Sequence, residues 1–411
     1  MKINKHCFPN GLRLVHYEDT STQMVALNIV YDVGARDEHP EHTGFAHLFE
    51  HLMFGGSAHI PDYDTPLQLA GGENNAWTNN DITNYYLTVP KPNVETAFWL
   101  ESDRMLELAF SEQSLEVQRG VVMEEFKQRC LNQPYGDVGH LFRPLAFRVH
   151  PYCWPTIGKE LSHIEQATLD EVKSFFYRFY APNNAVLAVT GNISWDETVK
   201  LTEKWFAPIP RRDVPVRQLP QEPEQTQERR LTVERNVPLD ALFMGYHMCS
   251  REGADYYAFD ILSDILSNGR SSRLNRRLVQ EQNIFSGIDA YISGTRDAGL
   301  LQISGKPAAG VSLEQAEAAV RKELEELQRS PVDGQELEKV KNKFESTQIF
   351  GNINYLNVAT NLAWFELTGK AEDIDLEVER YRSVTTEQLH TVAQRTFCES
   401  NSVVLYYKSD K

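Results

Sequence analysis

Hydrophobic and polar positions form two kinds of pattern along the chain, and these patterns predict its secondary-structure elements. Short runs rich in valine, leucine and tyrosine, bounded by turn-forming residues, are typical of strands. They cover 12–17, 25–31, 75–78, 83–89 and 184–190. Apolar residues spaced three and four apart are typical of amphipathic helices. They cover 45–54, 62–72, 93–108, 111–129, 168–180 and 196–206. The mixture predicts an α+β fold.

The helix predicted at 45–54 combines an apolar frame with polar side chains. Its apolar positions are Phe45, Leu48, Phe49, Leu52 and Met53. Such a frame indicates that the helix is buried, and the pair Gly55-Gly56 provides its end. Because a buried polar group without a partner is costly, the polar residues of this helix need a specific partner.

His47 and His51 lie one turn apart on one face of that helix. Two imidazoles at this spacing can bind one metal ion. Glu50 projects to the same side and is placed to accept a proton from water at the metal. This is the H-x-x-E-H arrangement of certain metallopeptidases. The alternative interpretation is a solvated polar stripe, which the apolar frame disfavours.

Composition excludes several classes of protein. The chain has 411 residues, 41% of them hydrophobic, and a net charge of −17. This charge argues against a nucleic-acid binder and against docking on anionic membrane. The five cysteines are scattered and form no disulfide framework. The amino terminus lacks an apolar signal core, and no stretch reaches the length of a membrane span. We expect a cytoplasmic protein.

Two segments of the chain resemble each other, TLDEVKSFFYRFYAPNNAVLAV and TTEQLHTVAQRTFCESNSVVLY. Thr168 and Thr385 stand 217 positions apart, as do Asn184 and Asn401. Both segments place a helix before a valine-rich strand, which predicts a duplicated domain. Between them, residues 208–230 hold five prolines among charges and glutamines, a composition typical of a linker. We therefore expect domains at 1–209 and 231–411 and a linker at 210–230.

The second copy lacks the metal motif. At an offset of 213 residues, Asp260 stands opposite His47 and Asp264 opposite His51. Ser263 takes the place of Glu50. The apolar frame is retained while the imidazoles are absent, so we expect one metal site per chain, in the first half.

The two histidines need a third ligand, because a catalytic zinc usually has three from the protein. The adjacent acids Glu124 and Glu125, on the helix predicted at 111–129, are the candidates. Each lies on a partly apolar stripe of that helix. Periodicity alone therefore leaves both open.

These features together resemble one known family. The motif His47-Leu48-Phe49-Glu50-His51, followed by a helix reading RGVVMEE, is similar to the pitrilysin/insulinase family of zinc peptidases, the inverzincins. It is most similar to the half-size branch that includes the mitochondrial processing peptidase. The likeness extends to Asp32-Val33-Gly34-Ala35-Arg36, to Asn75-Ala76-Trp77-Thr78 and to the duplicated halves.

The resemblance implies a fold, a ligand set and an activity. The fold would be two homologous domains, each a mostly antiparallel sheet with helices packed on one face, forming half of a clamshell. Glu125 would be the third ligand of Zn²⁺, and Glu50 the catalytic base. Asn75 and Ala76 would bind substrate backbone at an edge strand. The chain would be a metalloendopeptidase acting on peptides or unfolded segments. Gln118 departs from the family, since many relatives have an acid there.

Complete peptidases of this family carry an arginine and a tyrosine in the second half that stabilise the substrate carbonyl. Here Val279 and Ser286 stand at those positions. We therefore expect a heterodimer, in which a homologous chain lacking H-x-x-E-H supplies the pair. A homodimer that uses Arg276 or Arg277 with Tyr291 is one alternative. A scaffold subunit without catalysis is the other.

Overall fold

The computed structural model describes residues 1–410. Within them the strands are β1 Ile3–Cys7, β2 Arg13–Glu18, β3 Met24–Tyr31, β4 Glu73–Thr78, β5 Thr83–Pro90, β6 Ala185–Gly191, β7 Arg229–Arg235, β8 Ala241–Met248, β9 Phe285–Ile292, β10 Gly299–Pro307 and β11 Ser402–Ser409. The α-helices are α1 Phe45–Leu52, α2 Asp64–Leu69, α3 Val94–Leu106, α4 Glu112–Phe126, α5 Val138–Ala146, α6 Leu161–Glu165, α7 Leu169–Phe179, α8 Trp195–Trp205, α9 Tyr256–Ser267, α10 Leu313–Arg329, α11 Gly334–Gly351, α12 Tyr355–Thr368, α13 Glu377–Ser383 and α14 Thr386–Thr396.

The strands form two sheets with the same topology. The first has the order β1-β2-β6-β3-β5-β4 and the second β7-β11-β8-β10-β9. All neighbours are antiparallel except β2–β6 and β11–β7, which are parallel. Without β1, the two orders match strand by strand. The predicted α+β class, with two mostly antiparallel sheets, is confirmed.

The chain divides into two compact units, and neither is continuous in sequence. The first contains Met1–Leu131, Trp154–Pro220 and Ile349–Leu376. The second contains Asn132–Cys153, Gln221–Gln348 and the residues from Glu377 onward. The division into a metal-bearing domain, 1–209, and a homologous domain, 231–411, stays a prediction.

Both faces of the first sheet are apolar, because alternate residues of a strand point to opposite sides. Leu27 and Ile29 of β3 belong to the core that includes α1, α3 and α7. Ala26 and Val30 face the other way and pack with Leu362 of α12. The first unit therefore uses a helix from the C-terminal half of the chain to cover its second face.

The second sheet is covered in the same way. Val404 and Tyr406 of β11 belong to the core that includes α9, α10 and α14. Val403 and Leu405 pack instead with Phe142 of α5, a helix from the N-terminal half. Helices α5 and α12 begin 217 positions apart, at the offset of the repeat. Each half of the chain thus contributes the corresponding helix to the other unit.

The repeat is also visible in its hydrogen bonds. Thr168 and Thr385 both cap a helix, each accepting a bond from the backbone N–H three residues later. Asn184 and Asn401 both donate Nδ2 to the carbonyl five residues earlier, at 2.8 and 3.0 Å. The residues that revealed the duplication in the sequence hold the same helix-to-strand turn in both halves.

The proline-rich segment forms neither helix nor strand over residues 210–228, and it is anchored along its length. Within the first unit, Arg212 donates to the carbonyl of Tyr180 at 2.7 Å. Arg217 donates Nε to Asp37 Oδ1 at 2.5 Å. Within the second unit, Glu222 accepts three consecutive backbone N–H groups, those of residues 148–150. The segment is held by specific contacts rather than solvated throughout.

Some elements differ in detail from their prediction. Helix α4 stops at Phe126 and continues as a π-helical turn, Lys127–Leu131, so the pitch changes within the helix predicted at 111–129. Strand β1 lies outside the predicted elements. Within residues 1–410, no helix combines the length and the apolar content that crossing a bilayer requires.

Candidate metal centre

Helix α1 begins where the local geometry requires a glycine. Gly44 has a φ of 88°, in the left-handed region that glycine adopts without strain. A Cβ at this position would lie 2.7 Å from Cδ1 of Ile164. The buried carboxylate of Glu38 then accepts the N–H groups of Gly44 and Ala46, at 2.9 and 2.8 Å. An acid therefore satisfies the positive end of the helix.

The apolar side of α1 fixes which way its polar side points. Leu48 and Phe49 are fully buried, and Phe49 stacks on the ring of Tyr180 with centroids 5.1 Å apart. Residues three and four positions along a helix share a face. With Leu48 and Phe49 in the core, His47 and His51 are directed to the opposite side.

His47 and His51 converge with Glu125 of α4. Glu125 Oε2 lies 3.5 Å from His47 Nε2 and 3.2 Å from His51 Nε2. The three ligand atoms all lie within 4.8 Å of one another. Among the residues that the structure describes, this is the one such group of three histidine, cysteine or acidic side chains. Of the two acids that periodicity left open, it is Glu125 that approaches the imidazoles.

The electrostatics of the group suit a cation. Burial lowers the pKa of His47 to about 4, against the opposing charge of Glu125, so His47 is neutral at pH 7 and has a lone pair to offer. The hydrogen bond from His51 is the largest factor that lowers the pKa of Glu125. A neutral imidazole and an ionised carboxylate are the forms that bind metal.

The donor set fits zinc. Two ligands on a tetrahedral zinc, each at about 2.1 Å, lie roughly 3.4 Å apart, close to the two separations measured from Glu125. Two nitrogens and one oxygen are also the donors of several catalytic zinc sites with an open fourth position. His47 Nδ1 is buried without a hydrogen-bond partner, whereas ligating histidines usually donate from the second nitrogen. The ligand role of these residues stays a prediction.

Glu50 lies beside this group and is not part of it. Its Oε2 accepts a hydrogen bond of 2.6 Å from Thr78 Oγ1. Burial raises the pKa of Glu50, while the Thr78 hydrogen bond and the charge of His51 act in the opposite direction. A sheltered carboxylate that is held apart from the ligands is the arrangement that a general base requires.

Asn75 and Ala76 lie on β4, the last strand of the first sheet. Strand β4 pairs with β5 on one side, so its other side is an edge of the sheet. The N–H of Ala76 donates to the side-chain oxygen of Asn75 at 2.8 Å. A substrate strand that uses this donor must displace the Asn75 amide.

Two residues at the site were not identified from the sequence as functional. Thr78, which binds Glu50, was named only as the end of a predicted strand and as part of a stretch that resembles the family. Arg129 is the last residue of the helix predicted at 111–129, and its Nη2 lies 2.9 Å from Glu125 Oε1. The four-residue spacing from Glu125 is a signal that could have indicated this pair.

In the second unit, the positions linked by resemblance to an arginine and a tyrosine have local structural contacts. Val279 packs against the core of that unit, and Ser286 donates to a backbone carbonyl. Arg276 and Arg277 are each paired with a glutamate, at 3.6 and 2.7 Å. Tyr291 is 48% exposed. The carboxylates of Glu323 and Glu326 disfavour Arg277 as a substrate ligand, whereas the exposed pair of Arg276 leaves that arginine open.

Two family models match successive parts of the chain. The insulinase model, peptidase family M16, matches residues 13–135. The model of the peptidase M16 inactive domain matches residues 166–344. The chain belongs to the insulinase family of zinc peptidases, M16. The convergent residues of this M16 chain lie within the first match, and helix α9, which has no histidine, lies in the match described as inactive.

Similar members of the M16 family are named as proteases. The chain is 26% identical over 405 residues to the zinc protease PqqE of Helicobacter pylori, covering 97% of this chain and 91% of that protein. It is 24% identical over 406 residues to the uncharacterized zinc protease YmxG of Bacillus subtilis, covering 98% of each. The crystal structure of a protease from Helicobacter pylori matches 99% of both chains with a TM-score of 0.94 and 26% identity. The likeness thus extends over nearly the whole chain.

Proposed function

We propose that this M16 chain is the zinc-bearing subunit of a metalloendopeptidase that hydrolyses peptides or unfolded segments. The observation that carries the proposal is the convergence of His47, His51 and Glu125 around one position, with Glu50 held outside the ligand group. A non-catalytic subunit needs neither the three metal ligands nor the base, so the presence of all four residues favours a catalytic subunit.

The proposed chemistry assigns a task to each residue. Zinc, when bound by His47, His51 and Glu125, supplies Lewis-acid chemistry that acidifies water and polarises a carbonyl. Glu50 accepts the proton of the attacking water and passes it to the leaving nitrogen as the peptide C–N bond breaks. Thr78 fixes one oxygen of Glu50, so the other is the proton acceptor.

The edge of β4 is the proposed site for the substrate backbone. A peptide strand that pairs there gains main-chain hydrogen bonds with little dependence on its sequence. Ala76 provides one donor, and Asn75, which covers it in the free protein, is released to bind the substrate. This recognition mode favours extended or unfolded segments over folded surfaces.

A homologous partner chain is proposed to complete the site. Val279 and Ser286 provide neither a guanidinium nor a phenol at the positions where complete relatives have them. The partner would therefore lack H-x-x-E-H and contribute the arginine and the tyrosine. The expected cytoplasmic location stays a prediction; the five cysteines form no disulfide within the described residues.

The test combines metal analysis with peptidase assays on the purified chain. We expect one zinc per chain, and hydrolysis of an unstructured peptide that Glu50→Gln abolishes without removing the metal. Adding the homologous chain should raise the activity strongly. A wild-type chain without stoichiometric zinc would contradict the proposal and favour a scaffold role. Equal activity with and without the partner would exclude the heterodimer, and mixing Glu50→Gln with wild type would then test the homodimer.

A further inference from the structure

The two oxygens of Glu125 have different partners. Oε2 faces the imidazoles of His47 and His51, at 3.5 and 3.2 Å. Oε1 lies 2.9 Å from Nη2 of Arg129. A carboxylate that is bound at one oxygen cannot turn about its own axis without breaking that bond, so the pairing decides which oxygen is presented to the site.

Arg129 occupies an unusual stretch of backbone. It lies in the π-helical turn Lys127–Leu131 that follows α4 directly. Such turns are rare and occur frequently at functional sites. The change of pitch falls between Glu125 and Arg129, and the two side chains still meet across it.

We infer that Arg129 is a positioning residue for the metal site, which holds Glu125 by Oε1 so that Oε2 stays turned towards the two imidazoles. This inference rests on the proposed zinc site. Ligating carboxylates are usually hydrogen-bonded in turn, and loss of such a partner typically lowers metal affinity about 10–100-fold. The planar guanidinium presents its N–H groups in a fixed geometry, which the flexible ammonium of a lysine does not do.

Two other interpretations of the pair predict different outcomes. As an ordinary surface ion pair, with Arg129 68% exposed, the pair would contribute little to stability and nothing to metal binding. If Arg129 acted only as a positive charge, it would repel a cation, and its removal would strengthen zinc binding. Solvent screens such a repulsion at an exposed site, whereas orientation of the carboxylate is not screened.

The same turn offers a matched control. Lys127 Nζ pairs with Glu124 Oε1 at 2.6 Å, on the neighbouring acid that does not reach the imidazoles. Lys127→Gln and Arg129→Gln remove the same charge from the same turn. Arg129→Gln removes a partner of Glu125, whereas Lys127→Gln removes a partner of Glu124.

The experiment measures zinc affinity of the full chain by competition with a chelator, for wild type, Arg129→Gln, Arg129→Lys and Lys127→Gln. Arg129→Gln should bind zinc about tenfold more weakly or worse, Arg129→Lys should be intermediate, and Lys127→Gln should match wild type. The visible spectrum of bound Co²⁺ should change for Arg129→Gln and not for Lys127→Gln. Melting temperatures of the metal-free proteins should agree, which separates positioning from general stability.

Two results have distinct meanings. If wild type binds no stoichiometric zinc, the proposed function fails. If wild type binds zinc and Arg129→Gln binds as tightly as Lys127→Gln, or more tightly, the positioning role is overturned while the proposed function stands. Should Arg129→Gln fold poorly, Arg129→Lys decides: affinity equal to that of wild type overturns the inference, and weaker binding supports it.

Discussion

Helices α1 and α9 occupy corresponding places in the two units and carry different chemistry. In α1, two imidazoles approach the carboxylate of Glu125 on another helix. In α9, the corresponding positions are Asp260 and Asp264. Tyr381 donates its hydroxyl to Asp260, and Asn268 donates Nδ2 to Asp264 at 2.8 Å. Asp260 and Asp264 of α9 thus both accept hydrogen bonds from nearby side chains.

The difference between the two helices lies in their polar positions and not in their apolar frame. The apolar frame is common to both helices, so the fold does not depend on the polar positions. In α1 the Nε2 atoms of His47 and His51 both face the Oε2 atom of Glu125, so the three ligand atoms could share one cation. In α9 each acid already has its donor, and burial raises the pKa of both, which disfavours the charged form that a metal requires.

The largest expected effect comes from removing one imidazole. His51→Ala should weaken zinc binding by more than about a hundredfold, because loss of a ligand costs more than loss of an outer partner, at about 10–100-fold. Added zinc should raise the melting temperature of wild type and not that of the variant. Asp264→Ala, the matched change in α9, should leave zinc affinity unchanged. A comparable loss in both variants would break the distinction between the two helices.

Replacing the proposed base should separate catalysis from metal binding. Glu50→Gln keeps the shape and the Thr78 contact of the side chain but removes its ability to accept a proton. We expect kcat to fall about 10²–10⁴-fold, with zinc affinity within a few-fold of wild type. Ser263→Ala, at the corresponding position of α9, should keep full activity. Peptide hydrolysis by Glu50→Gln at the wild-type rate would remove Glu50 from the mechanism.

The entry to α1 depends on an ion pair with the proline-rich segment. Asp37, 2% exposed, pairs with Arg217. Removing one partner of a buried pair costs about 3–5 kcal/mol, and Arg217 is partly exposed, so Arg217→Met should cost about 2–3 kcal/mol in the free energy of unfolding. Denaturant unfolding measures the loss. Arg211→Met, an exposed neighbour, should stay within about 0.5 kcal/mol of wild type.

The same variant should depend on pH in a defined direction. Burial raises the pKa of Asp37 above its ordinary value of 3.8, and Arg217 opposes that rise. Without Arg217 the folded-state pKa is higher still. An acid whose pKa is raised on folding destabilises the protein increasingly as pH rises from its unfolded pKa through its folded one. Arg217→Met should therefore lose more stability relative to wild type at pH 8 than at pH 5, and a constant difference would contradict this account.

The sequence predicted those parts of the molecule whose cause is local. Periodicity located α1 and its two histidines, and the shared offset of Thr168 and Thr385 indicated the duplication, because caps and helix faces depend on neighbouring residues. The packing of α5 on the second sheet and of α12 on the first was not predicted. The sequence of a helix shows that it has an apolar face but not which sheet that face will cover. Glu125 required a family resemblance, because its approach to His47 arises from packing between two helices that are far apart in sequence.

The smallest expected effect concerns the substrate edge of the first sheet. The N–H of Ala76, on edge strand β4, donates to the side chain of Asn75, and proline is tolerated on edge strands. Ala76→Pro removes one donor to a bound peptide, which is worth about 0.5–1.5 kcal/mol. We expect KM to rise roughly 2–12-fold with kcat nearly unchanged, because a backbone contact made equally in the ground and transition states affects binding alone. Zinc affinity should stay at the wild-type value. An unchanged KM would place the peptide elsewhere and leave β4 as an ordinary edge strand, like its counterpart β9.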